Sequence, residues 1–345
     1  MKNAGFLSAI AIALACLMSC DTSFNPTAPF QPRMVVYSIL MTNTDTQYVR
    51  IYSTYNPPDY DPTQNPDEIS VNDAQVSVQQ EGGPTFSFQL MTIQRADSSR
   101  YRNPIHAYAA YPFRPLEGKR YSLTVSSPSF GDASATTLVP DHGSASPTNI
   151  FALRDPWHTT AENYGVSAAL APETKGFLVR FYVDYLSPLP AGGYKPKRLE
   201  VPINVKVLSL YRRTFEKIYP RPVRRTTPRN SGTPLYHQNL PVETIGYSMS
   251  GYQFEIGNLY DFTEGCGVRF VQAVFYEMQF DAPLWNYWGS ATLFRDPNSV
   301  RLDESDYTNI KGGAGVFGSI AVDSALWTLP EKMPPPAAQG TAGCQ

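Results

Sequence analysis

Four residues near the start of the chain, Leu17-Met-Ser-Cys20, have the types and the order of a bacterial lipobox. In that motif an aliphatic residue, a variable position and a small residue precede a cysteine, whose thiol accepts the lipid. The apolar run before Cys20 is shorter than the roughly 18 residues that a membrane span needs. Lys2 gives this run the positive start of a secretory signal. We therefore predict a signal peptide over 1–19 and acylation of Cys20.

Cys16 also ends an apolar run, but Ala13 stands where Leu17 stands relative to Cys20. The alternative is an ordinary cleaved signal peptide with a coincidental cysteine. Because two or three acyl chains hold a protein stably in a bilayer, the favoured interpretation predicts an exported protein with a lipid anchor, its partner being the membrane itself. Whether it faces the periplasm or the cell surface stays open.

An acidic segment is the best candidate for a metal site. Oxygen ligands at alternate positions suit Ca²⁺, and the candidates are Asp59, Asp61, Asn65 and Asp67. The EF-hand pattern fails, because Gln64 stands where glycine is needed and no glutamate stands twelfth. A solvated acidic loop is the favoured interpretation, so we predict no metal and no cofactor.

Groups for nucleophilic catalysis are hard to assemble. The segment Gly246-Tyr-Ser248-Met-Ser250 nearly matches the G-x-S-x-G elbow, but serine holds its last position and we predict no strand-to-helix turn there. The histidines are far apart in sequence and are interpreted as surface or loop residues: His106, His142, His158 and His237. With no convincing carboxylate pair or triad, we expect a protein that is not an enzyme.

Positive charge is concentrated between positions 195 and 229, which hold 11 of the 28 lysines and arginines against two glutamates. On a lipoprotein such a patch suits anionic head groups or an acidic partner surface. A solvated loop is an equally good interpretation, because Pro220, Pro222 and Pro228 interrupt regular structure. The candidate binding residues here are Arg212, Arg213, Arg224 and Arg225.

Three aromatic residues, Trp285, Tyr287 and Trp288, suit a platform for stacking a glycan. Packing of a short helix against the core is the favoured alternative. Nearby, the segment 313–318 matches G-x-G-x-x-G, but β-branched residues and a proline-rich tail follow it. A dinucleotide site needs a complete βαβ unit, so we reject one and expect these glycines to permit a sharp turn before a strand.

The composition indicates a β-rich protein. Hydrophobic residues make up 42% and charged residues 17% of the chain, which permits a buried core, and the net charge of −2 argues against nucleic acid. Alternating runs at 46–55, 75–79, 85–90 and 121–125 predict short strands, and no run in this half keeps a helical period. The second half predicts strands at 176–185, 199–208 and 267–278, the last one central, with Pro202 demoting its own run to an edge or a bulge.

We therefore predict an all-β protein with two β-sandwich domains, the first immunoglobulin-like or fibronectin III-like, with at most short helices in the second, as at 281–294. Cys266 and Cys344 could form one disulfide. The expected organisation is a signal peptide at 1–19, a lipidated tether at 20–32, a first domain at 33–140, a linker at 141–149, a second domain at 150–329 and a flexible tail at 330–345.

A family resemblance rests on the segment 306–318, where Asn309-Ile, a glycine pair and Gly-Val-Phe317-Gly follow one another. With the lipobox, the Met-Val-Val-Tyr opening and the hairpin at 118–140, this resembles the domain of unknown function 4249 family of Bacteroidota lipoproteins, across 33–322. The resemblance implies an outer-membrane lipoprotein, often encoded beside TonB-dependent receptors, with no established activity. We expect a non-catalytic binding protein that serves such a transporter, with a glycan as another possible ligand. The alternatives are an envelope glycan or peptide hydrolase and a structural or adhesive protein.

Overall fold

The computed structural model describes residues 30–55, 67–99, 101–209, 214–226, 242–259, 267–292 and 307–333. Several predictions fall outside these ranges, namely those on the signal peptide, most of the tether and tail, Cys20, Asp59, Asp61, Asn65, Arg212, Arg213, Cys266 and Cys344. They stay predictions.

Within the described ranges the chain is dominated by strands, which confirms the all-β class. The strands are β1 Met34–Met41, β2 Gln47–Ser53, β3 Gln75–Gln80, β4 Thr85–Ile93, β5 Ile105–Ala110, β6 Arg120–Ser127, β7 Gly131–Leu138, β8 Ser144–Pro147, β9 Asn163–Ala169, β10 Gly176–Pro188, β11 Tyr194–Val201, β12 Asn204–Ser209, β13 Thr214–Ile218, β14 Val223–Arg224, β15 Val242–Ser248, β16 Arg269–Phe280 and β17 Ala314–Thr328. The helices are α1 Ile150–Arg154, α2 Met249–Asn258 and α3 Ala282–Thr292. None of these helices has the length and apolarity needed to cross a bilayer.

One large mixed sheet runs through both halves of the chain, in the order β11-β10-β16-β17-β1-β2-β5-β4-β3-β6-β7. Strand β17 lies between β16, to which it is antiparallel, and β1, to which it is parallel. Val35 pairs with Ala314 across the parallel ladder. The strands on either side of the predicted 141–149 linker therefore share a sheet, and β8 lies within that linker.

The first core is enclosed because the sheet curls until β7 returns to β17. Ser134 and Lys311 form a bridge between the two ends, with N···O distances of 2.9 and 2.8 Å. Strict alternation in β6 buries Tyr121, Leu123 and Val125 while the residues between them face solvent. Phe317 of β17 completes this core. We call β17, with the residues it contacts on β1, β7 and β16, the seam.

The second core lies between the β10–β16 part of the large sheet and a three-stranded sheet of order β15-β9-β8. Phe181 and Phe275 stack there with ring centroids 4.6 Å apart, and Tyr247 packs edge-on against Phe181. The central position predicted for 267–278 is confirmed, because β16 is paired on both sides. The short helix predicted near 281–294 is confirmed as α3.

The single strand predicted over 199–208 is wrong. The chain leaves the large sheet at Pro202, so that β11 is an edge strand and β12 begins a separate two-stranded sheet with β13. Proline lacks the backbone N–H that a ladder needs and is confined to edges and interruptions. The edge position expected from Pro202 is thus confirmed, but the residues after it belong to a different sheet.

Glycine at position 315 allows the seam to close. Its φ of +101° lies where side chains are strained, and a Cβ there would be 2.1 Å from the carbonyl oxygen of Val36. The Asn309 side chain accepts from the Phe317 N–H at 2.9 Å and donates to the Phe317 carbonyl at 2.8 Å. The motif that carries the family resemblance therefore has a structural role, and a strand rather than a helix follows its glycines.

Candidate functional site

The two-stranded sheet of β12 and β13 stands apart from the large sheet, and we call it the arm. Isolated two-stranded hairpins are marginally stable, so the arm needs support from the rest of the molecule. Helix α2 supplies it, because the rings of Phe215 and Phe254 lie 4.7 Å apart near the turn end of the arm and Lys217 Nζ lies 2.7 Å from Glu255 Oε1.

The ion pair between Lys217 and Glu255 is unequal in burial. The Glu255 side chain is almost wholly buried, and this desolvation raises the pKa of its carboxyl, while Lys217 acts in the opposite direction. Because Lys217 is the ion-pair partner of a buried carboxylate, this contact holds the arm against the second core.

The arm and the residues that follow it expose an unusual number of large apolar side chains. They are Val207, Leu208, Phe215, Ile218, Tyr219 and Val223, between 37% and 58% exposed. Val207 and Phe215 are partners across the β12–β13 ladder, so their side chains share one face, and exposed apolar surface of this kind marks sites of interaction with proteins or membranes. The arm is therefore the candidate binding surface of the described structure.

Several cations of the basic stretch are engaged within the molecule. Arg198 forms a bidentate pair with Asp184, with distances of 2.6 and 2.9 Å, and this pairing lowers the pKa of the Asp184 carboxyl. Arg225 donates to the carbonyls of Ala171 and Pro172, both at 2.7 Å. Exposed cations on the arm and directly after it include Lys206, Arg221 and Arg224, and Lys195 is exposed at the start of β11. The predicted patch is thus divided into internal contacts and exposed charge.

The aromatic residues of α3 lie against the large sheet. A Cβ on Gly176 would be 1.9 Å from the Trp285 ring, so the ring covers the backbone of β10 at that glycine. Trp288 lies 5.4 Å from Trp285 between centroids, and the Tyr287 hydroxyl donates to the Tyr37 hydroxyl at 2.8 Å. All three α3 side chains remain partly accessible, which leaves the glycan platform a prediction. Asp67, the described member of the acidic segment, is exposed.

Contrary to the prediction, Ser248 does lie at a strand-to-helix turn, because β15 ends at Ser248 and α2 begins at Met249. Tyr247 and Met249 on either side of this turn are both buried in the second core, and Ser248 between them occupies the N-cap position without a capping hydrogen bond from its side chain. Strand β15 is antiparallel to β9, however, and Ser248 has an ordinary extended backbone with φ −71°. Its hydroxyl lies 2.6 Å from that of Ser250. The parallel sheet of a nucleophile elbow is lacking here.

A cluster of titratable groups escaped the sequence analysis. His142, interpreted as a loop residue, lies with its Nδ1 2.6 Å from Asp323 Oδ1 and 3.6 Å from Glu117 Oε2. These residues are far apart in sequence, so no motif joins them. The usable signal was a carboxylate within a predicted central strand, because Glu277 occupies a buried position of β16.

Among solved structures, the C-terminal globular domain of an oligosaccharyltransferase from Pyrococcus abyssi aligns at 8% identity and a TM-score of 0.18, covering 87% of this chain and 50% of that one. The chain thus spans half of that structure, and so low a score supports no argument. No curated protein matches the chain.

The family model described as "Domain of unknown function (DUF4249)" matches residues 21–184. This match confirms the resemblance to the family over that range. The matched residues contain the strands β1 to β9 and part of β10. The glycine-rich segment of the seam lies beyond them.

Proposed function

We propose that this protein is a lipid-anchored lipoprotein of the outer membrane that binds a partner and catalyses no reaction. The partner we propose is an envelope transporter of the TonB-dependent type, which the protein serves as an accessory or ligand-capturing subunit. The observation that carries the binding role is the arm, with its exposed apolar side chains and the exposed cations around it.

The lipobox supports the proposed anchor at Cys20, and the family match begins directly after it, at residue 21. Replacing Cys20 removes the only thiol that the motif presents for acylation. We expect Cys20→Ala to leave the membrane pellet for the soluble fraction, while Cys16→Ala, the matched control, keeps both pelleting and the mass of the acyl chains. Retention of Cys20→Ala in the pellet after a carbonate wash would contradict the anchor.

The chemistry of the arm indicates what kind of partner it would bind. Its apolar side chains favour burial against a protein surface, at about 25 cal/mol per Å² removed from water. Lys206, Arg221 and Arg224 add positive charge beside this surface, which favours and orients an acidic partner. The partner surface proposed is therefore apolar at its centre and acidic at its rim.

The experiment is a cross-linked pull-down of the tagged, lipidated protein from its native membrane, read by mass spectrometry. We expect an outer-membrane barrel protein in stoichiometric amount. The double variant Lys206→Glu, Arg224→Glu should lose it. Lys311 has an exposed side chain and lies at the bridge to Ser134, outside the arm. Lys311→Glu should therefore retain the barrel protein.

Three results would contradict the proposed role. Recovery of no protein partner would remove the transporter, and binding of envelope glycans would then point to the aromatic residues of α3. Turnover of a glycan or peptide by the purified protein would replace the binding role with the hydrolase alternative. Equal recovery by the double variant and the wild type would remove the arm from the interface.

A further inference from the structure

The second candidate site lies where three distant parts of the chain meet. Glu117 precedes the turn into β6, His142 follows β7 on the way to β8, and Asp323 belongs to β17. The nearest donor atoms of these three side chains all lie within 4.8 Å of one another. The donor set consists of one imidazole nitrogen and two carboxylates, all able to bind a cation.

A fourth side chain gives independent evidence that something is missing from this cluster. Glu277 is 0% exposed, and among the described residues neither of its carboxylate oxygens has a hydrogen-bond partner. Buried polar groups are almost always satisfied, and an uncompensated buried carboxylate is strongly unfavourable. A site that supplies positive charge would remove this cost.

Glu277 is directed towards the cluster. It pairs with Asp323 across β16 and β17, so both side chains lie on the same face of the sheet. Gly143, the residue after His142, donates its N–H to Asp323 Oδ2 at 2.9 Å. A Cβ on Gly143 would lie only 2.7 Å from Glu277 Oε1. Both carboxylates therefore flank the same short backbone segment.

We propose that Glu117, His142 and Asp323 bind a divalent transition-metal ion. The carboxylate of Glu277, the cross-strand partner of Asp323, would help to balance the positive charge of that ion. Imidazole favours Zn²⁺ and related ions, and the carboxylates are compatible with them. Bonds of about 2.1 Å in tetrahedral geometry place donors roughly 3.4 Å apart. The 3.6 Å separation of His142 and Glu117 already suits this, and the 2.6 Å pair opens slightly.

The electrostatics agree with this assignment. Burial raises the pKa of Glu277 to about 9, and the charge of Asp323 adds to this effect. Burial also raises the pKa of the Glu117 and Asp323 carboxyls, although His142 acts to lower both. A divalent cation bound among these groups would favour the charged forms of all three.

The test is calorimetric titration of the full-length protein in detergent with Zn²⁺ at pH 7.5, after removal of metals with EDTA. We expect one ion per chain, and at least a tenfold weaker affinity in His142→Ala and in Glu117→Gln. His142 is 72% exposed in its side chain, so its replacement leaves the fold intact. The matched control is His158→Ala, which removes another exposed histidine 3.0 Å from an aspartate, Asp155.

A thermal melt gives a second, independent readout. An ion that binds the folded state alone raises its melting temperature, so Zn²⁺ should stabilise the wild type and His158→Ala but not His142→Ala. Two results would overturn the proposal: no Zn²⁺ binding by the wild type, or equal affinity of the wild type and His142→Ala. In either case His142 and Asp323 form a simple ion pair.

Discussion

The seam and the arm are both built from β-strands, yet they differ in the burial of their side chains and in the contacts that hold them in place. The seam buries Phe317 and admits the carbonyl of Val36 only because residue 315 lacks a side chain. The arm exposes Leu208 over 58% of its surface and is held by contacts of Phe215 and Lys217 with helix α2. The difference indicates that the seam joins the two cores, while the arm leaves large apolar side chains exposed to solvent.

The largest expected effect comes from adding one carbon to the seam. Gly315→Ala forces a side chain into the left-handed region and into the Val36 carbonyl oxygen. We expect a loss of about 3 kcal/mol or more in the free energy of unfolding, measured by urea denaturation. Gly246→Ala in β15 is the control, because no heavy atom lies within 4 Å of its added Cβ. Similar losses in the two variants would show that the seam is not tightly constrained.

A smaller effect is expected from the buried carboxyl at the start of α3. Asp281 accepts from the Thr137 hydroxyl and from the Leu284 N–H, and burial raises its pKa from 3.8 to about 6. A raised pKa means that the folded state binds more protons than the unfolded state between pH 4 and 6. The stability from this group is therefore complete below pH 4 and is lost as the pH rises through 6, a change of about 3 kcal/mol in all.

Asp281→Asn tests this sign, because the amide cannot ionise. Between pH 4 and pH 7 its stability should rise relative to the wild type by up to about 3 kcal/mol, as read from urea melts at each pH. Asp97→Asn serves as the control: that carboxylate is exposed, and the Ser99 N–H lowers its pKa, so no such gain is expected. A constant difference between Asp281→Asn and the wild type would disprove the shift.

The smallest effect is expected in the arm. Phe215→Ala removes the ring contact with Phe254 and should cost about 1 kcal/mol, with faster proteolysis confined to the arm. Leu208→Ala, at the most exposed of the arm's apolar positions, should change the free energy of unfolding by less than about 0.5 kcal/mol. If Phe215→Ala unfolded the second core, the arm would be part of that core and the contrast with the seam would fail.

Local features of the fold could be predicted because their physical causes are local. Alternation in 121–125 gives β6, helical spacing after Asp281 gives α3, and the missing N–H of Pro202 gives the edge at β11. The pairing of β17 with β1 could not be predicted, since nothing in either strand specifies a partner so far away in sequence. Glu117 and Asp323 are likewise far apart in sequence, so no motif could reveal the cluster around His142.

The parallel ladder between β1 and β17 also determines the order in which structure can form. Val35 must wait for Ala314, about 280 positions later, before its ladder can form. Because Phe317 completes the first core, a chain that emerges from the ribosome cannot complete that core early. Such long-range closure slows folding. The first core of the nascent protein would therefore stay open until almost all of the chain has been made.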